Sequence, residues 1–144
     1  MKYQPIVTTG GDLNGGNYIL TEDITLAKSI TIYGDVSLCL NGHTLTATDT
    51  AVFHCSVGSS LTLCDCKGTG RIEATTGNAY VVAMDSGSVL YQYGGTIYAD
   101  AHFAKSGIGT WHFYAGKLEK GSVAIEENPL YLWDSPEIAS AVNL

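Results

Sequence analysis

Three short segments return in one order five times along this chain, and no feature constrains its fold more. The first set is SITIYG, DVSLCLNG and HTLTATD; the second is TAVFHCSVGS, SLTLCDCKGTG and RIEATTG. The third is NAYVVAMDSG, SVLYQYGG and TIYADA, the fourth HFAKSGIG, TWHFYAG and KLEKG, the fifth SVAIEEN, PLYLWDSP and EIASA. Gly, Asn, Asp or Ser-Pro turns separate the pieces. Aligned in this way, Leu40, Leu63, Tyr91, Phe113 and Leu132 form one column, with steps of 23, 28, 22 and 19 residues. Leu45, Ile72, Ile97, Leu118 and Ile138 form another, with steps of 27, 25, 21 and 20. A period in the twenties built only of strand-like pieces marks a solenoid.

Within a rung the apolar residues alternate. Val36, Leu38 and Leu40 share one parity, and Ser37, Cys39 and Asn41 the other, which sends one set inward and the other outward. No segment sustains a 3.6-residue apolar period, and the 17 Gly and many Thr favour strands and tight turns. One rung alone cannot bury its inward face; a second rung about 4.8 Å above supplies hydrogen bonds and closes the core. The expectation is an all-β chain folded as a parallel β-helix of about five rungs, each of three short strands. Residues 1–144 form a single domain, with 1–20 as an N-terminal lead-in or cap and 21–144 as rungs. The usual chirality of parallel crossovers makes the coil right-handed. A β-sandwich, the alternative, also uses many short strands. It gives no reason for two columns to keep register over five units.

The net charge of −7 excludes nucleic acid and anionic membrane as partners, since both call for basic surface. No apolar run approaches a membrane span. After Met1-Lys2 comes Tyr-Gln-Pro rather than the apolar stretch of a signal peptide, a beginning compatible with a removed leader or with work inside a cell or virion. Cys39, Cys55, Cys64 and Cys66 all lie in the first two sets of segments. Their spacing does not match paired CxxC zinc knuckles. Neighbouring rungs stand close enough for a disulfide. The plainer reading is small, soft side chains that stack well.

LCLNGHTLTA and LTLCDCKGTGRI resemble the repeats of right-handed β-helix proteins of Gram-positive, often gut, bacteria, within the broad pectate-lyase-like superfold. The resemblance runs from about Gly15 to Leu144. It is strong over 15–75 and looser afterwards, where one Gly94-Gly95-Thr96-Ile97 turn survives. It implies a β-helix fold and an extracellular or cell-surface setting more than a reaction. Two departures stand out: the chain is short, ending on Val142-Asn143-Leu144 as if opening another rung, and its later rungs are unusually aromatic.

Because that superfold hosts polysaccharide lyases and hydrolases, catalysis has to be tested. Hydrolases need two carboxylates facing one cleft. Asp65, Glu73, Asp85, Asp100 and Asp134 lie at turns or strand ends, and none aligns with a carboxylate in the same column of the next rung. Acids at turns usually bond local backbone. Arg71, the sole arginine, is placed to pair with Glu73 across its own strand face. His43 belongs to a turn, His54 stands beside Cys55, His102 marks a corner and His112 lies outward between Trp111 and Phe113. None has a spaced partner that suggests a triad. The expectation is therefore no catalytic residue, metal or cofactor.

The feature above background is aromatic. Outward positions of the second strand in successive rungs read Cys39 and Asn41, Thr62 and Cys64, Leu90 and Gln92, His112 and Tyr114, Tyr131 and Trp133. Leu90, His112, Tyr114, Tyr131 and Trp133 are the candidate binding or interface residues. A contiguous stripe of this size implies subunit contact, cover by the chain itself, or a glycan or other ligand. The expected function is a non-catalytic module for surface recognition or assembly. It is adhesin-like, with a glycan or protein as possible partner and self-association as dimer or trimer through the C-terminal half. The alternatives are a carbohydrate-active enzyme and a phage-encoded tail-spike or host-defence inhibitor.

Overall fold

The structure, a computed structural model, describes residues 3–6, 10–105, 109–122, 130–134 and 136–143, with Ala104, Lys105 and Asn143 described by backbone alone. The strands are β1 (Gln4–Ile6), β2 (Gly11–Leu20), β3 (Ile24–Thr25), β4 (Ile30–Cys39), β5 (Thr44–Ala47), β6 (Ala51–Cys55), β7 (Ser60–Cys64) and β8 (Arg71–Ala74). They continue with β9 (Tyr80–Met84), β10 (Val89–Gln92), β11 (Thr96–Lys105), β12 (Thr110–Phe113), β13 (Lys117–Ser122), β14 (Leu130–Leu132), β15 (Glu137–Ile138) and β16 (Val142–Asn143). Among the described residues there is no helix, and the strands pair in parallel as a β-solenoid of about five turns.

The coil has three walls. The first stacks the start of β2, the start of β4, then β6, β9, the end of β11, the end of β13 and β16. The second stacks β1, the rest of β2, the rest of β4, then β7, β10, β12 and β14. The third stacks β3, β5, β8, the start of β11, the start of β13 and β15. The segment read as a lead-in takes part in this stacking. β2 pairs along its length with β4 and sends Leu13 and Leu20 into the core. Of the last set of segments, SVAIEEN lies outside the described residues from position 123 onward.

On the third wall the expected column holds throughout. Leu45 pairs with Ile72, Ile72 with Ile97, Ile97 with Leu118 and Leu118 with Ile138, and Ile24 extends it downward. On the second wall the register differs from expectation. Leu63 stacks on Leu38 rather than Leu40, and the column continues through Gln92, not Tyr91, to Phe113 and Leu132. Leu40 belongs to the corner: its carbonyl accepts from His43 N at 3.0 Å across a tight turn. Asn41 takes a left-handed φ of 53° in that turn and donates from its amide to Leu20 O at 3.1 Å, so it is no outward strand residue. Leu40 is nevertheless fully buried, packed where Gly70 and Gly95 lack a side chain. In Val89-Leu90-Tyr91-Gln92 the apolar residues do not alternate, so the pattern leaves parity open. Leu90, caught between Leu61 and Trp111, settles it and carries Gln92 into the core.

Polar side chains secure the corners and outer faces. The Asp65 carboxylate accepts from Gly42 N (2.9 Å) and Gly70 N (2.7 Å), tying its loop to the rung below. Arg71 donates to Glu73 at 2.8 Å, as its strand position suggested, and makes a bidentate pair with Glu119 at 3.0 Å on each arm. Since Arg71 pairs with Thr96 and Thr96 with Lys117, this one side chain clamps three stacked rungs.

Candidate functional site: an aromatic ladder on the outer wall

The upper part of the second wall carries two columns of rings. Tyr91, His112 and Tyr131 are register partners on β10, β12 and β14. Their centroids lie 5.4 and 5.1 Å apart, with planes within 18° of parallel. Beside them stand Tyr93, Tyr114 and Trp133, one residue beyond each strand, at 4.6 and 5.7 Å and within 12° of parallel. The strand hydrogen bonds run on through these residues, from Tyr93 N to Leu63 O, Tyr114 N to Gln92 O and Trp133 N to Phe113 O. The rung spacing of about 4.8 Å sets the ring separation, so the backbone itself imposes the stack.

This assembly brings together His112, Tyr114, Tyr131 and Trp133, as the outward parity led one to expect, and corrects the fifth residue. Leu90 is fully buried against Leu61 and Trp111 and does not reach the wall's outer face. Tyr91 and Tyr93 take its place; the alternation Tyr-x-Tyr in YQY was the available signal. The two columns are also joined sideways. Trp133 Nε1 donates to His112 Nδ1 at 3.1 Å, which makes Nδ1 the acceptor. The Tyr114 phenol is held above its ordinary pKa, first by desolvation and then by the neighbouring Tyr93 phenol.

The orientation of the rings decides what the ladder can do. Stacked along the coil axis, they turn their faces to one another and their edges outward. Tyr93 (50%), Tyr131 (46%) and Trp133 (53%) remain exposed. The solvent meets a ribbed strip of ring edges and hydroxyl groups on a rigid wall. It is not a row of open faces of the kind on which sugar rings stack. Residues 4–6 pair with β2 at the other end of the coil and do not cover it.

The first wall holds a second feature that spacing did not reveal. A groove of about 380 Å³ is lined by Ser29, Asp49, Thr50, His54, Tyr80 and Asp85, among others. His54 Nε2 lies 3.0 Å from Asp85 Oδ2. Their sequence separation of 31 hides a contact that stacking of β6 under β9 creates. Asp49 and Asp85 thus share one groove, which the column comparison missed because both sit at corners. Asp65 serves turns, as expected, and His43 Nδ1 lies 3.3 Å from Asp23 Oδ1 beside a turn. His102 stacks on Tyr80 at 6.1 Å. Among the described residues no group of three His, Cys, Asp or Glu is arranged to hold a metal ion, and no helix is long and apolar enough to cross a membrane.

Comparison with models of protein families, with curated proteins and with solved structures gave no match. These comparisons therefore supply no function.

Proposed function

We propose that this protein is a non-catalytic β-solenoid module for recognition or assembly at a surface, and that the aromatic ladder is its contact face. The observation that carries the reading is the two-column stack of Tyr91, His112 and Tyr131 beside Tyr93, Tyr114 and Trp133, in which Tyr93, Tyr131 and Trp133 are exposed. Tyr and Trp supply large amphipathic contact area with few torsions to freeze, which lowers the entropy cost of binding. Here stacking on the neighbouring rungs restricts those torsions further. Edges and phenol groups suit a protein surface better than a sugar face, so a second copy of this chain is the favoured partner, as dimer or trimer. An adhesin-like role outside the cell follows the family resemblance and is part of the same proposal.

Light scattering tests it on the wild type and on a Tyr114→Ser, Trp133→Ser double variant. The wild type should assemble, and the double variant should fall to monomer with an unchanged far-UV spectrum. A monomeric wild type at high concentration, or undiminished assembly in the double variant, would refute the ladder as the interface. A second reading, a carbohydrate-active enzyme, draws on the groove in which Asp49, His54 and Asp85 meet. Turnover of a polysaccharide that is lost in Asp85→Asn would favour it.

A further inference from the structure

The lower part of the second wall holds three thiols that the ladder does not use. Cys39, at the end of β4, and Cys64, at the end of β7, are direct partners on neighbouring parallel strands. Such neighbours stand about 4.8 Å apart. Cys66 follows two residues on, in the loop that Asp65 ties to Gly42 of the rung below. Cys66 and Cys64 each interact directly with the Cys39 thiol and with one another. Access is graded along the group: Cys39 is buried, Cys64 half-buried and Cys66 exposed. Cys64 also donates to Leu38 O at 3.6 Å. Cys55, by contrast, is buried on the first wall, where burial and then Asp85 push its thiol up to about 12. None of the four is in a disulfide.

We infer that Cys39, Cys64 and Cys66 form a redox site, in which Cys66 captures a low-molecular-weight disulfide and passes the oxidation to Cys39 as a cross-rung disulfide. Cys66 loses its proton to solvent, and the thiolate attacks one sulfur of the small disulfide. That S–S bond breaks, Cys66 is left in a mixed disulfide, and one small thiolate departs and takes up a proton. Cys39 then gives up its proton, and its thiolate attacks the Cys66 sulfur and displaces the second small thiolate, which takes up a proton. Two protein thiols have lost two electrons to become one disulfide, and the small disulfide has gained them to become two thiols. Cys66 is held above the ordinary thiol range chiefly by its hydrogen bond to Cys39, and Cys64 is pushed up to about 12 chiefly by burial. The exchange is therefore slow at neutral pH and quickens as pH rises, because the thiolate is the nucleophile. The product ties the end of β4 to the loop after β7, in rungs whose outer wall carries small side chains instead of stacked rings.

The experiment incubates the folded protein with oxidised glutathione between pH 7 and 9.5, counts thiols after denaturation and maps unreduced peptides. The expected result is loss of two of the four thiols, a peptide joining Cys39 to Cys66, and a higher Tm that dithiothreitol reverses. Cys55 should stay reduced until the protein unfolds. Cys66→Ser, a change at an exposed position, should slow thiol loss by about tenfold or more. A mixed disulfide that stops at Cys66, a bridge between any pair other than Cys39 and Cys66, or an undiminished rate in Cys66→Ser would overturn the inference.

Discussion

Gln92 occupies the interior between Leu63 below and Phe113 above, and it is fully buried. Its amide nitrogen donates to Gly95 O at 3.3 Å, while Oε1 has no hydrogen-bond partner among the described residues. Replacing it by Leu removes an unsatisfied acceptor, worth about 1–3 kcal/mol, and gives up a long hydrogen bond worth about 1 kcal/mol or less. Gly95 O loses little, because it still accepts from Lys117 N at 3.0 Å. The side chains are similar in volume, so repacking should cost little. The net expectation for Gln92→Leu is a gain of about 1–2 kcal/mol. At this chain length that is roughly 3–6 °C in Tm, with a higher urea midpoint at unchanged slope. A loss of stability would refute the reasoning: it would mean that Oε1 is satisfied by solvent inside the coil, and that this part of the core is wetter than its packing indicates.

Two further perturbations bear on the fold. Leu63→Ala empties a fully buried site stacked on Leu38 and should cost about 2–5 kcal/mol; an unchanged urea midpoint would show that the second wall is registered differently. Arg71 holds the Glu119 carboxyl below its usual range, first through their hydrogen bond. With the folded pKa below the unfolded one, the clamp's contribution is complete above the ordinary carboxylate pKa and is lost as pH falls through the folded value. Urea midpoints measured from pH 6 down to pH 3 should therefore fall less steeply in Glu119→Gln than in wild type, and parallel curves would show that the clamp carries no net stabilisation.

The third wall was legible because its strands are short, with one β-branched or Leu residue facing in between polar neighbours, as in Arg71-Ile72-Glu73. The second wall was legible only in outline. Leu40 and Tyr91 look like core residues, yet one turns a corner and the other faces out, and the difference depends on where Asn41 and Gly42 break the strand. The ladder could be foreseen from parity on β12 and β14, where His112 and Tyr114 flank a buried Phe113. On β10 the Tyr-x-Tyr alternation competes with Leu90, and only the burial of Leu90 between Leu61 and Trp111 decides for the tyrosines. The His54–Asp85 contact and the three thiols depend on register between rungs, which sequence spacing conveys poorly when loop lengths vary.

The placement of the two tryptophans makes the coil report on itself unevenly. Trp111 lies inside the wall, edge-on to Phe103, and Trp133 lies outside it, stacked on Tyr114. Both belong to the upper rungs, so indole fluorescence is blind to the rungs below β10, whereas far-UV dichroism sums over every strand. A stacked array need not melt in one step, since each rung leans mainly on its neighbours. Fluorescence and dichroism melts that superimpose would show the coil acting as one cooperative body. A fluorescence transition at higher temperature would show the ladder outlasting the rungs that carry the thiols.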